Sequence, residues 1–173
     1  MIENVVSISD SVNSTKEIIE MEKKIKFYIA TVLTTVTEEK DRALIRRIVE
    51  SFRNNPEYDL LEWAFDVEAW NPKGDRDNIY EEDKMLILES DIVVFLFVNS
   101  LGSDGRGSEL EICLNNEKPL IALAKEGEKI SAFTVHCLEK SNGVKIQKFF
   151  TADKAIRIID KALWDFKYQT LPV

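Results

Sequence analysis

The sequence predicts an α/β protein: one doubly wound sheet of five parallel strands in the flavodoxin-like order 2-1-3-4-5. Three observations carry this. Short β-branched runs alternate with amphipathic stretches along the chain, a pattern that implies right-handed crossovers between parallel strands. The run DIVVFLFV, opening at Asp91, is apolar without interruption, as a strand covered on both faces requires. Finally, 173 residues at 45% hydrophobic and 31% charged suit about one globular domain.

The elements follow in order. Residues 1–22 carry Ser and Asn without a tight period and are read as an N-terminal arm; residues 23–173 form the single α/β domain. IKFYIATVL (25–33) is β-branched and aromatic, a first strand. In residues 38–55, Leu44, Ile45, Ile48, Val49 and Phe52 recur at helical spacing until Pro56 ends the helix. Residues 59–65 have strand character, Asn71-Pro72-Lys73-Gly74 is a loop, and an acidic helix spans 77–89. After the central strand, a polar, glycine-rich loop (99–107) leads into a helix over 108–116. PLIALA (119–124) is the fourth strand, 129–140 a helix or irregular crossover, and 144–150 the fifth strand. Ala155, Ile156, Ile159, Ala162, Leu163 and Phe166 stripe a closing helix. In this strand order the topological switch point falls between strands 1 and 3, so a ligand belongs beyond residues 31–37 and 99–107.

Composition narrows the function classes. The 23 basic and 31 acidic side chains leave a net charge of −8, which disfavours nucleic-acid backbones and anionic membrane surfaces as partners. The longest apolar run, 92–98, is far below the roughly 20 residues of a membrane span. One histidine and two cysteines, Cys113 and Cys137, make neither a zinc site nor a disulfide framework. The expectation is a cytoplasmic protein without metal or cofactor.

Two carboxylates stand out. On the acidic helix, Ile79, Tyr80, Leu86, Ile87 and Ser90 form one face, and Asp83 lies in its middle. A carboxylate there faces the protein and needs a partner or a task, because burial without one costs several kcal/mol; either it bonds to amides or an Arg, or it does chemistry. At the glycine-rich loop, Ser108 and Glu111 read as a capping box. That occupies Glu111 and leaves Glu109, in the first turn, either to point into the cleft or to complement the helix dipole. Gly105 and Gly107 permit close backbone approach ahead of a helix N-terminus that favours anions, although neither G-x-G-x-x-G nor GK[ST] is present.

Taken in order, YIAT (28–31), IYEEDKMLILESDIVV (79–94), SDGRGSELE (103–111) and EKPLIAL (117–123) resemble the nucleoside 2-deoxyribosyltransferase family. That family carries an aspartate eight residues before the one opening the central strand, matching Asp83 and Asp91. Its nucleophilic glutamate lies nine residues before the lysine of a Lys-Pro or Lys-Arg pair, and counting back from Lys118 gives Glu109. The same register puts Gly105 on the family's loop glycine. Ser103 to Glu109 also fits S-x-G-x-G-x-E of the 2'-deoxynucleoside 5'-monophosphate N-glycosidases, where the transferases proper usually have aspartate. ISAF (130–133) is similar to the segment that brings a serine, here Ser131, from a neighbouring subunit to the substrate phosphate, and Asp41-Arg42-Ala43-Leu44 also resembles that branch. The likeness spans about residues 25 to 150. The chain departs from the family at Thr31, where a glycine is usual, and at Glu111, which replaces another.

The resemblance implies cleavage of the N-glycosidic bond of 2'-deoxynucleosides or their 5'-monophosphates, with Glu109 as nucleophile and Asp83 as its partner carboxylate. Tyr28 either holds the Glu109 rotamer or is a core aromatic. Ser103, Gly105, Gly107, Ser131 and Thr31 are the substrate-binding candidates, and a homodimer or higher homo-oligomer is implied. Water as acceptor makes a hydrolase and a second base a transferase; the residues leave both open. Two other classes fit the same pattern: a TIR-like NAD glycohydrolase and a non-catalytic nucleotide-binding module.

Overall fold

In the computed structural model, which describes residues 24–31, 36, 38–61, 76–99, 105–141 and 143–169, the strands fall in the predicted order. β1 (Ile25–Thr31) pairs with β2 (Tyr58–Leu61) on one side and β3 (Ile92–Phe97) on the other; β4 (Leu120–Lys125) and β5 (Ile146–Phe149) complete the sheet. All four pairings are parallel. Each crossover contains a helix: α1 (Glu39–Arg53), α2 (Arg76–Glu89), α3 (Gly105–Asn115) and the short α4 (Ala132–Val135), which continues as a π-helical turn over His136–Ser141. α5 (Ala152–Gln169) closes the chain. The arm, the 71–74 loop and Ser103 lie outside the described residues.

Side-chain alternation divides the core. Phe27, Ile29, Val94, Leu96 and Leu123 face α1 and α5 and pack on Ile45, Ile48, Phe52, Ile159 and Leu163. Tyr28, Ala30, Val93, Phe95 and Ala122 point the other way, against Ile87 of α2, Leu110 and Cys113 of α3, and Leu138. Every residue of β3 is buried, which explains its unbroken apolar run. On the first face, Phe27 and Phe52 meet edge to face with ring centroids 5.4 Å apart. On the second, the small residues Ala30, Ala122 and Ala124 line the C-terminal half of the sheet, leaving room there for α3 and for larger polar groups.

Two polar anchors set the geometry at the N-terminal edge. The Lys26 amide donates to Asp91 Oδ2 at 2.9 Å while the Asp91 amide donates to the Lys26 carbonyl at 2.8 Å, fixing the β1–β3 register. Lys118 Nζ donates to the carbonyls of Leu88 (2.6 Å) and Ser90 (2.7 Å), satisfying two of the orphan acceptors at the end of α2. Lys118 itself is aimed by the end of α3, where Glu117 adopts φ 52°. The Lys118 and Glu117 amides donate back to the Cys113 and Leu114 carbonyls at 2.9 and 3.2 Å, the bonding of a Schellman turn.

The structure corrects two expectations, the start of α3 and the inward placement of Tyr80. α3 begins at Gly105, three residues before the expected start, so Ser108 is inside the helix and the Ser108–Glu111 capping box does not form; Glu109 lies in the second turn, beyond the short reach of the dipole. A Cβ added at Gly107 would meet nothing within 4 Å, so no packing contact demands glycine there. Tyr80, expected on the inward face of α2, is 43% exposed and lies under Lys84, whose Nζ is 5.9 Å from the ring centroid. α5 runs longer than its stripe, over residues 152–169.

Candidate active site

Tyr28 leaves β1 toward the α2–α3 face, three residues before the strand ends at the switch point. Its hydroxyl lies 2.7 Å from Asp83 Oδ1 and 3.2 Å from Glu109 Oε1. The two carboxylate oxygens are therefore no farther apart than the sum of those distances, 5.9 Å. Each carboxylate arrives there for a local reason. Asp83 is half-buried on the side of α2 that also carries the buried Ile87 and Ser90, and Ser90 folds its hydroxyl back onto the Ile87 carbonyl at 2.7 Å. Glu109 is 9% exposed and adjoins the buried Leu110 and Cys113 on α3. Glu111, two residues on, is exposed and lines a separate groove of about 490 Å³ with Leu114, Phe133 and Cys137.

A phenol has one proton to donate, so Tyr28 serves one carboxylate at a time, Asp83 being the nearer. Burial pushes its ionisation well above the ordinary phenol value, and the charges of Glu109 and then Asp83 push it the same way. The phenol therefore stays a neutral donor throughout the physiological range. One turn beyond Glu109, the Cys113 thiol is fully buried and is pushed up to about 12, chiefly by burial and then by Glu109, with Lys118 opposing. It is a packing group and not a nucleophile.

The other sequence candidates lie elsewhere. Thr31 ends β1 with its hydroxyl buried and without a hydrogen-bond partner. Gly105 and Gly107 form the first turn of α3. Ser131 is the N-cap of α4: its hydroxyl accepts the Thr134 amide at 3.1 Å and lies 2.8 Å from the Thr134 hydroxyl. Ser103 lies outside the described residues. No cluster of potential metal ligands occurs among the described residues, and no described helix is long and apolar enough to cross a membrane.

Sheet order and the position of the carboxylates define the class: a flavodoxin-like α/β protein with an acidic pair at its topological switch point. No family model matches the sequence, and no curated protein does. Among solved structures, the chain is similar to the CMP N-glycosidase BcmB of Clostridium botulinum, at 17% identity and a TM-score of 0.52 over 79% of this chain and 98% of that one. It is similar as well to a conserved protein from Enterococcus faecalis V583, at 18% identity and a TM-score of 0.50 over 81% and 99% of the two chains. At these identities the likeness is one of fold.

Proposed function

We propose that this protein cleaves the N-glycosidic bond of 2'-deoxynucleosides or their 5'-monophosphates by double displacement on Glu109. The observation that carries the reading is the convergence of Asp83 and Glu109 on one phenol, within 5.9 Å of each other. Carboxyl pairs about 5–5.5 Å apart accompany a covalent glycosyl-enzyme, whereas inverting pairs stand about 6.5–9.5 Å apart to admit a water. Fold likeness to a CMP N-glycosidase supports the reaction class.

In the first step a Glu109 oxygen bonds to C1' as the C1'–N bond breaks. The bond's electron pair leaves with the base, which takes a proton from the Asp83 carboxyl. The Tyr28 hydroxyl, 2.7 Å away, then donates to the new Asp83 carboxylate. In the second step an acceptor hydroxyl or amine replaces Glu109 at C1' and returns a proton to Asp83. Water as acceptor gives hydrolysis; a second base gives transfer.

By its likeness to the glycosidase branch, the site takes 5'-monophosphates in preference to nucleosides, with Ser103, Gly105, Gly107 and Ser131 toward the phosphate and Ser131 supplied by a second copy in a dimer or larger homo-oligomer. Phe133, beside Ser131, is 69% exposed, an apolar side chain that a second copy can cover. The protein is proposed to act in the cytoplasm. The test is incubation with deoxynucleosides, their monophosphates and NAD, followed by chromatography for free base. Base release from the deoxy compounds is expected; nicotinamide release alone gives the reaction to an NAD glycohydrolase, and no release refutes catalysis.

A further inference from the structure

The opposite face of the same sheet edge carries polar groups that neither the fold nor the carboxylate pair accounts for. Lys125 ends β4 on the side taken by Leu123 two residues earlier. Its ammonium reaches back across β3 to Asp41, in the first turn of α1, forming an ion pair with a carboxylate only 4% exposed. The Lys125 side chain is 28% exposed. Arg42, next along α1 and half-buried, donates its Nε to the Val36 carbonyl at 2.7 Å. Thr31 closes β1 on this same face, as alternation from Ile29 dictates, with its buried hydroxyl unpartnered.

Counting donors gives the chemistry. An ammonium has three protons and Asp41 takes one; a guanidinium has five N–H groups and Val36 takes one; the Thr31 hydroxyl has its own. Neither cation has a further partner among the described residues. Asp41, Arg42 and Lys125 together carry one positive charge, and the other acidic groups of the α1 N-terminus are already paired, Glu38 with Lys40 at 2.6 Å and Glu39 with Arg46 at 3.9 Å. On the adjoining connection Glu126, next to Lys125 in the chain, is exposed, and Glu128 accepts the Asn99 amide at 2.7 Å. Desolvating an ion pair where an apolar wall would serve adds nothing to stability on balance, and an orphaned buried hydroxyl lowers it.

We propose that Lys125, Arg42 and Thr31 form an oxyanion subsite that receives the phosphate monoester of the substrate, with Asp41 as the positioning residue that aims the ammonium. The inference rests on the glycosidase reading only for the rest of the ligand. It adds to the serines named above a set of charged donors that lies wholly within one chain. Guanidinium and ammonium donors make charge-assisted bonds to phosphate oxygens, and Thr31 supplies the shape-fixing third donor.

The test is calorimetric titration of the full chain, carrying Glu109→Gln to prevent turnover, with inorganic phosphate, 2'-deoxynucleoside 5'-monophosphates and the matching nucleosides. Lys125→Met is expected to weaken monophosphate binding on the order of tenfold and Thr31→Val severalfold, with nucleoside binding unchanged. Lys125→Met strands the Asp41 carboxylate, so the double variant Asp41→Asn/Lys125→Met, checked for a native melting transition, must show the same selective loss. Monophosphate affinity equal to that of the parent, equal losses for nucleoside and monophosphate, or no binding of phosphate compounds by the parent would each overturn the assignment. Binding is read here without turnover, so failure of base release leaves this test standing.

Discussion

Replacing Tyr28 by Phe removes one oxygen from the centre of the site and leaves the ring in its place in the core. The lost hydroxyl stands 2.7 Å from Asp83 and 3.2 Å from Glu109, and in the proposed reaction it is the donor to the charge left on Asp83 when the base departs. A hydrogen bond to a charged group contributes about 1.5–3 kcal/mol, and each 1.36 kcal/mol is tenfold in rate. Tyr28→Phe should therefore lower kcat about 10- to 150-fold, with KM little changed because the phenol holds the carboxylates and not the substrate. Steady-state base release, followed by chromatography, reads the effect, and urea unfolding reports whether the fold persists. A folded Tyr28→Phe protein with kcat within about twofold of the parent would show that the phenol is only a core aromatic, since the expected loss is at least tenfold.

Three further outcomes follow from the same geometry. Glu109→Ala should abolish base release while Glu111→Ala, on the exposed side of α3, retains it; the reverse ranking refutes the register. Alkaline stability should fall as pH rises above about 10, the unfolded phenol value, because Tyr28 and Tyr58 both keep their protons in the fold after the unfolded chain has released them. Tyr28→Phe should flatten that decline, and an unchanged slope in pH-dependent melting would contradict the assignment. Lys118→Met should destabilise by about 0.5–1.5 kcal/mol, the net worth of a typical hydrogen bond, because the part-buried bond to the Ser90 carbonyl is lost while water can reach the exposed Leu88 carbonyl; an unchanged urea midpoint would show that water replaces both.

Strand order was readable because hydrophobic period and the two-sided burial of β3 are local properties of the chain. Asp83 was legible for a related reason: a carboxylate in line with Ile87 and Ser90 contradicts its own helix face. The start of α3 was not. Ser108 followed by Glu111 imitates a capping box, and the glycines before it have poor helix propensity, yet the helix begins at Gly105. Tyr80 misled because an aromatic at helical spacing is not bound to be buried: it is 43% exposed and meets Lys84 instead of the sheet. The Asp41–Lys125 pair spans 84 positions, and no pattern within a window of sequence announces which distant lysine meets a buried aspartate. Lys118 was seen as a motif, but its work on the α2 carbonyls became visible only with both helix ends in place.

The phenol of Tyr28 joins residues 55 and 81 positions away in the chain. A nascent chain therefore has no site when β1 forms, nor when α2 docks; the acidic pair exists only after α3 has been synthesised and seated on the sheet. On the proposed function, base release is a late reporter of folding, appearing only once β1, α2 and α3 are all in place and vanishing with the first to loosen. A chain with only β1 and α2 seated would hold Asp83 near Tyr28 but lack Glu109, and on the proposed mechanism would have no nucleophile to offer before the crevice is complete.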